Sequence, residues 1–148
     1  MKANKRGFTL IELMIALVIA GILAAVAVPS YMSSLKKGRR ADAYGGILKV
    51  QQAQEKFRAN CPNYALTLSA STPNCATQEL GLGTATTTDG YYTLSISAPT
   101  AAGHTIATGY RITATATGSQ TSDTGCTSIT YELAGTTESK SPDTCWSK

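Results

Sequence analysis

The sequence predicts an α+β protein in which one long N-terminal helix packs on a small antiparallel sheet of three or four strands. Three observations support that class. Residues 8–28 form an almost unbroken apolar run, residues 30–60 continue with helical periodicity, and β-branched and aromatic residues are enriched between turn signals after residue 90. At 148 residues, the chain has room for the helix and one modest domain.

The apolar run from Phe8 to Val28 contains two clearly polar side chains, Thr9 and Glu12. A helix of that length rises about 31 Å, enough to cross the roughly 30 Å hydrocarbon core of a bilayer. The run therefore predicts a membrane-spanning helix. A carboxylate in such a span costs on the order of 3 kcal/mol or more, so it usually has a cationic partner. Cleavage after Gly7 would supply that partner, because the new α-amine of Phe8 would lie one helical turn from Glu12.

Two other interpretations of this segment stay open. Residues 25–27 read Ala-Val-Ala, which resembles the cleavage site of an ordinary secretory signal. The full spanning length and the early Glu12 argue against that interpretation. Alternatively, the helix is a plain anchor whose Glu12 snorkels toward the headgroups. That would explain the glutamate but not the Gly7 and Phe8 junction.

Beyond Pro29 the helical pattern continues, and the whole helix is predicted from about Thr9 to Asn60. Its apolar face is predicted to carry Ala43, Ile47, Val50 and Phe57. Because a proline inside a helix removes a backbone hydrogen bond, we expect a kink at Pro29, with Gly21 as a further weak point.

The strands are predicted to follow a connecting loop that runs from residue 63 to residue 90. Their predicted ranges are 91–97, 106–117 and 127–133. Since alternate residues share one face of a strand, the predicted core positions are Tyr92, Leu94, Ile96, Tyr110, Ile112, Ala114, Ile129, Tyr131 and Leu133. These side chains are expected to face the apolar positions of the helix.

All four cysteines follow the apolar run, in a region rich in Thr, Ser and Gly. An even number there predicts disulfides in an oxidising compartment, which places this region outside the cytoplasm. Three pairings are possible, and closeness in sequence favours Cys61 with Cys75 and Cys126 with Cys145. One histidine and no C-x-x-C pair argue against zinc, and no metal or cofactor is expected.

Charge bears on the possible partners. The chain has 13 basic and 9 acidic residues, which give a formal net charge of +4. Three of the basic residues precede Phe8, so the part from Phe8 onward has 10 basic and 9 acidic residues and a net charge of +1. From Cys61 onward, three basic and six acidic residues give −3. Nucleic-acid surfaces normally carry a basic patch, so this balance does not favour a nucleic-acid partner. The lone His104 has no catalytic context, and no enzyme is predicted.

The N-terminal segment resembles a type IV prepilin. The resemblance is carried by the basic leader of residues 1–7, the Gly7 and Phe8 junction, Glu12 four positions beyond it, and Pro29 at the end of the apolar run. It implies the type IV pilin fold. It also implies cleavage between Gly7 and Phe8 by a prepilin peptidase and N-methylation of Phe8. Glu12 of an incoming subunit would be drawn to the amine of a neighbour, with Phe8, Thr9 and Glu12 as the assembly residues.

A second resemblance covers roughly residues 89–148. Residues 89–96, 113–120 and 125–127, with the closing Cys145 and Trp146, are similar to the globular domain of PilE-like minor pilins. The resemblance implies a C-terminal disulfide loop between Cys126 and Cys145, over which Trp146 is expected to pack. A further bridge in the connecting loop departs from the common single-bridge pilin. Four-cysteine minor pilins include the DNA-receptor type of natural competence.

Together these resemblances imply three segments and a structural role. The segments are a leader peptide (1–7), a hydrophobic transmembrane and filament-core helix (8–35), and a periplasmic, later extracellular, globular domain (36–148). The implied protein is a single-pass inner-membrane subunit of a Gram-negative bacterium that enters the pilus filament. Its implied partners are other pilin subunits, the prepilin peptidase and the inner-membrane assembly machinery, and its implied roles are pilus biogenesis, twitching motility and adhesion.

Two alternatives remain. The first is a DNA-uptake receptor, for which Arg111, Lys140 and Lys148 are candidate cations if they cluster in space. The second is a pseudopilin of a type II secretion apparatus, which shares the same leader and helix.

Overall fold

One long helix precedes a four-stranded antiparallel sheet. A computed structural model describes residues 7–68 and 71–146. The elements, in chain order, are α1 (Leu10–Arg58), β1 (Tyr92–Ser97), β2 (Gly109–Ala116), a 3-10 turn (Gly118–Ser122), β3 (Ser128–Ala134), β4 (Thr137–Ser141) and the short α2 (Asp143–Trp146). The predicted α+β class is therefore confirmed. The chain divides into two compact units, Met1–Leu35 and Lys36–Lys148, and α1 contributes residues to both.

In the first unit, the described residues from Leu10 onward are helical, and Pro29 lies within α1. The predicted kink at Gly21 and Pro29 stays a prediction. In the second unit, the strands follow chain order, β1-β2-β3-β4, and every neighbouring pair is antiparallel. Strand β4 reads Thr-Glu-Ser-Lys-Ser and is exposed at every position, so no apolar alternation marks it in the sequence.

The core lies between the second half of α1 and one face of the sheet. The four predicted helix positions are buried, and so are seven of the nine predicted strand positions. The other two, Ile96 and Leu133, are partly buried and pack against the core. These core predictions are confirmed. A polar residue joins them, because the side-chain amide of Gln54 bonds both backbone groups of Ala65, at 2.8 and 2.9 Å.

The connection before β1 folds back on itself rather than forming an open loop. A Cys61–Cys75 bridge closes its first part, and backbone bonds join Leu66 and Thr67 to the carbonyl of Gln78 at 2.9 and 3.1 Å. Its last part lies against α1 at Gly46, where a Cβ would come within 2.8 Å of a methyl carbon of Thr87. Since only glycine leaves that space free, Gly46 allows the close approach of loop and helix.

Candidate assembly and binding sites

The first candidate site is the start of α1. Thr9 immediately precedes the helix, and its hydroxyl accepts a hydrogen bond from the backbone N–H of Glu12 at 3.2 Å. Its carbonyl accepts from the N–H of Leu13, also at 3.2 Å. A threonine at the N-cap with an acidic residue three positions later favours helix initiation, because both place acceptors near unpaired N–H groups and the positive end of the helix dipole. Thr9 and Glu12 therefore also help to start the helix.

The side chains that follow this start are exposed and apolar. Phe8 is 84% exposed, Leu10 76% and Val26 75%. The most apolar 18-residue window of α1 has a mean hydropathy of 2.7, and none of it is buried within the structure. By length and composition this helix can cross a membrane. A continuous apolar surface of this size indicates contact with lipid or with other protein chains.

The second candidate site is a cationic surface at the first residues of the folded unit, Lys36, Lys37, Arg39 and Arg40, here called the basic end. Lys36 donates to the carbonyl of Ser122 at 2.8 Å, and Arg39 donates to the hydroxyl of Ser119 at 2.9 Å. The guanidinium of Arg39 also lies 4.8 Å from the centre of the Tyr91 ring. These bonds to neutral groups leave the charges of Lys36 and Arg39 uncompensated by those partners.

Arg40 differs from its neighbours because it is paired. It donates to both carboxylate oxygens of Asp123, at 2.7 and 2.9 Å, and the two side chains are 11% and 8% exposed. The hydrogen bond from Arg40 is the main cause that lowers the pKa of Asp123, and the reciprocal bond raises the pKa of Arg40. Gln120 donates to Asp123 at 3.0 Å and to the carbonyl of Lys36 at 3.1 Å. This network fixes the turn after β2 on the helix.

An aromatic pair lies at the C-terminal disulfide loop. The rings of Tyr44 and Trp146 stack with centroids 5.1 Å apart, and the Lys140 ammonium lies 5.4 Å from the Trp146 ring centre. The Tyr44 hydroxyl donates to the carbonyl of Cys145, which is bridged to Cys126. Trp146 thus lies beside the bridge, and its stacking partner is a residue of α1.

The three cations that sequence reasoning grouped as DNA contacts do not come together as a cluster. Arg111 forms an ion pair with Glu132 at 2.7 Å on the outer face of the sheet. Lys140 pairs in register with Tyr131. Tyr131 and Glu132 are adjacent in β3 and point to opposite faces of the sheet, so Lys140 lies on the face opposite to that of Arg111. Lys148 lies outside the described residues. The basic end was missed because the charge balance was taken from Cys61, whereas the folded unit begins at Lys36.

The formal net charge is positive when it is counted from Lys36, the first residue of the folded unit, and negative when it is counted from Cys61. Residues 36–148 contain ten basic and eight acidic residues, a net charge of +2. Seven of the ten basic residues lie between 36 and 58, in the part of α1 that belongs to this unit. The side chains of His, Cys, Asp and Glu within residues 7–68 and 71–146 form no group of three that would hold a metal ion.

The exposed apolar helix with an acidic residue near its start, followed by a disulfide-linked sheet unit, defines a pilin-class protein. Residues 2–28 match the family model described as the prokaryotic N-terminal methylation motif. Residues 29–130 match the model described as type IV minor pilin ComP, DNA uptake sequence receptor. Because that match covers more than half of the chain, the chain belongs to this type IV minor pilin family.

Curated relatives resemble the chain over less than half of their own length. The type II secretion system core protein G of Pectobacterium carotovorum is 35% identical over 64 residues, 43% of this chain and 41% of that protein. The type IV major pilin protein PilA of Myxococcus xanthus is 38% identical over 62 residues, which are 42% of this chain and 28% of that protein. Fimbrial protein EcpC of Eikenella corrodens is 46% identical over 44 residues, which are 30% of this chain and 29% of that protein. The relatives thus include both pilins and a secretion-system protein.

Proposed function

We propose that this chain is a minor subunit of a type IV pilus and enters the filament through its N-terminal helix. A prepilin peptidase cleaves between Gly7 and Phe8 and methylates the Phe8 amine. Residues 8–35 hold the subunit in the inner membrane, with residues 36–148 in the periplasm, until the assembly machinery transfers it to the filament. In the filament it supports pilus biogenesis, twitching motility and adhesion as a structural, non-enzymatic component.

The observation that carries this proposal is the exposed apolar surface of α1 with one carboxylate near its start. The described side chains of this surface are exposed, and apolar surface of this extent is stable only when lipid or neighbouring helices cover it. A carboxylate there needs a positive partner, and a cleaved N-terminus supplies one. In a filament, the partner amine belongs to a neighbouring subunit, so Glu12 favours association in one register.

The test replaces Glu12 by alanine and measures the chain in sheared pili. We expect E12A to be processed and folded but depleted from the filament fraction at least tenfold. This depletion follows from losing a charge pair that is worth more than 1.4 kcal/mol in an apolar environment. The matched control is Glu55→Ala, an exposed acidic position elsewhere on α1.

Normal incorporation of E12A would contradict the proposed role of the carboxylate. Mass spectrometry of the wild-type N-terminus is an independent check. It should show Phe8 as the first residue, carrying one methyl group. A native chain that retains residues 1–7, or one that begins near Val28, would refute the assignment of the segment.

A second candidate function, DNA binding, is favoured by the family description and by the basic end. Lys36 and Arg39 are held in place by bonds to neutral groups, and Tyr91 lies against Arg39. Cations beside an aromatic ring suit contacts to phosphates and bases. The folded unit carries a net charge of +2, so the negative charge counted from Cys61 no longer argues against a nucleic-acid partner.

DNA binding is tested with the full chain in detergent micelles and duplex DNA, at several salt concentrations. If Lys36 and Arg39 contact phosphates, the double variant Lys36→Ala with Arg39→Ala should weaken binding and reduce the salt slope by about 2. Lys49→Ala, at an exposed position on the same helix, serves as the control. Equal slopes for the wild type and the double variant would exclude Lys36 and Arg39 as phosphate contacts.

A further inference from the structure

The basic end directly follows the apolar unit in the chain. The apolar unit ends at Leu35 and the folded unit begins at Lys36, so the surface that carries the basic end is the surface at which the chain enters the folded unit. An excess of cations beside a membrane span normally lies on its cytoplasmic side. Here four cations lie on the side of the two disulfides, which belongs outside the cytoplasm. The orientation of the span therefore does not explain them.

Three cations of the basic end form no ion pair with any described residue. They are Lys36, Lys37 and Arg39, here called the unpaired cations. No acidic residue occurs between Glu12 and Asp42 in the sequence. The carboxylate of Asp42 accepts hydrogen bonds from two backbone N–H groups of the loop before β1, at 3.1 Å each. Asp123 is paired with Arg40. The folded unit thus supplies no counter-charge for the unpaired cations.

The turn that lies against the basic end adds hydroxyl groups to this surface. The exposed side chains of the 3-10 turn are Ser119, Thr121 and Ser122. Lys36 donates to the carbonyl of Ser122 at 2.8 Å and Arg39 to the hydroxyl of Ser119 at 2.9 Å, so cations and hydroxyls lie together. Ammonium and guanidinium groups form strong, charge-assisted hydrogen bonds to phosphate oxygens. This surface therefore has the chemistry of a phosphate-binding surface.

The distance along the helix brings this surface close to lipid headgroups. Lys36 follows Val28, the last residue of the apolar run, by eight positions, which is about 12 Å along a helix. The headgroup region extends roughly 5–8 Å beyond the hydrocarbon core, and the potential of a charged surface reaches about 10 Å further at 0.1 M salt. The unpaired cations consequently lie within reach of the membrane that holds the subunit.

We infer that the basic end binds the anionic headgroups of phospholipids, such as phosphatidylglycerol, and holds the folded unit on the outer surface of the inner membrane before assembly. The inference rests on the proposed function and adds to it a contact that is made before the subunit enters the filament. It gives the unpaired cations a counter-charge at the place where the chain leaves the span. Transfer to the filament breaks this contact and frees the same cations for another partner.

The experiment reconstitutes the full chain in lipid nanodiscs and measures whether the turn contacts the headgroups. Thr121→Cys carries a fluorescent dye, and the native bridges leave this thiol as the one that reacts. A small, fixed fraction of phosphatidylcholine with a spin-labelled headgroup quenches the dye on contact. Discs of phosphatidylcholine are compared with discs that contain equal parts of phosphatidylcholine and phosphatidylglycerol.

We expect the ratio of quenched to unquenched dye to be at least tenfold higher in the phosphatidylglycerol discs at low salt. Each cation near an anionic surface favours contact about fivefold, so three cations supply more than this ratio. The difference should vanish at about 1 M salt, where the Debye length is about 3 Å. Since both discs hold the same protein, any change in the turn itself cancels in the comparison.

Two triple variants separate the basic end from net charge. Alanine at all three unpaired cations should remove the difference between the two lipids. The matched control places alanine at three other exposed lysines of the folded unit, Lys49, Lys56 and Lys140. It removes the same charge and should keep the difference.

Four results would overturn the inference. Equal quenching of the wild type in both lipids would show no headgroup contact, while the filament role, tested separately with E12A, would stand. An equal loss in both triple variants would assign the effect to net charge. Equal quenching in both lipids, together with duplex DNA binding that requires the unpaired cations, would make the basic end a DNA surface instead. A native chain that begins near Val28 would lack the span, and the proposed function and this inference would fail together.

Discussion

Replacing Glu132 by glutamine should destabilise the folded unit at neutral pH and much less in acid. Glu132 lies on the outer face of the sheet but is only 5% exposed. Its carboxylate accepts hydrogen bonds from the Thr100 backbone and hydroxyl at 2.8 Å, from the Ala101 backbone at 2.9 Å and from Arg111 at 2.7 Å. These bonds hold the connection between β1 and β2. A glutamine keeps the shape but presents an NH₂ group to some of these donors.

The pKa of Glu132 sets the size of the effect. Burial opposes ionisation, but the hydrogen bonds from Ala101, Thr100 and Arg111 outweigh it and lower the pKa of Glu132 to about 2 from 4.5. One unit of pKa corresponds to about 1.4 kcal/mol, so the shift corresponds to about 3 kcal/mol of stability in favour of the ionised side chain. Since Arg111 is partly exposed, solvent screening reduces our expectation for E132Q to about 2 kcal/mol.

The assay is denaturant unfolding of the full chain in detergent, followed by the fluorescence of Trp146, the single tryptophan. A lowered folded-state pKa contributes stability that is fully present above the unfolded-state value and is lost as pH falls toward 2. The wild type should therefore lose about 1.5 kcal/mol more than E132Q between pH 7 and pH 2.5, because about a quarter of the effect persists half a pH unit above the folded-state pKa. The difference between the two proteins should shrink over the same range.

A difference below about 0.5 kcal/mol at pH 7, the usual scatter for a surface substitution, would refute this reasoning. So would a difference that is the same at pH 7 and pH 2.5, because it would then not depend on the ionised carboxylate. Glu55→Gln, at an exposed position on α1, is the control and should be near neutral at both pH values.

Two further predictions concern contacts between α1 and the rest of the folded unit. Gly46→Ala should cost about 1–2 kcal/mol in thermal or denaturant unfolding, because its Cβ would crowd Thr87, whereas Gly45→Ala, with open space around it, should stabilise by up to about 1 kcal/mol. Similar stabilities for the two variants would show that the loop can move away from the helix. Arg40→Ala should cost about 3 kcal/mol at pH 7, since it leaves Asp123 buried without its cation. Because the ion pair lowers the pKa of Asp123 from its ordinary value of 3.8, the cost should fall as the pH drops below 3.8 toward that lowered pKa. A pH-independent cost would assign the effect to lost packing.

The long helix and the core positions were predictable because their signals are local and periodic. Ile47, Val50 and Phe57 recur with helical spacing, and Tyr92 and Leu94 alternate along a strand, so the pattern itself indicates the buried face. Strand β4 was not assigned, since Glu138 and Lys140 carry no apolar alternation. That strand forms because β3 offers an unpaired edge, which a single-sequence pattern does not reveal.

The candidate sites also differ in whether the sequence alone reveals them. Glu12 stands out from sequence alone, because a carboxylate within an apolar run is anomalous wherever the chain folds. The basic end does not, because its relevance depends on which residues belong to the folded unit and on what neutralises each charge. Arg111 reads as a free cation in the sequence, yet Glu132, 21 positions away, is its partner in the structure.

The sequence by itself determined the exposed apolar helix, the position of its one carboxylate and the buried faces of α1 and the first three strands. These properties follow from the order of side chains along a helix or strand of fixed period. Only the tertiary structure decided that Arg40 pairs with Asp123 across 83 residues, that Gly46 lies against Thr87, and that Lys36 and Arg39 bond the turn after β2. Those contacts join segments far apart in the chain, so they depend on how the helix and sheet pack rather than on any local pattern.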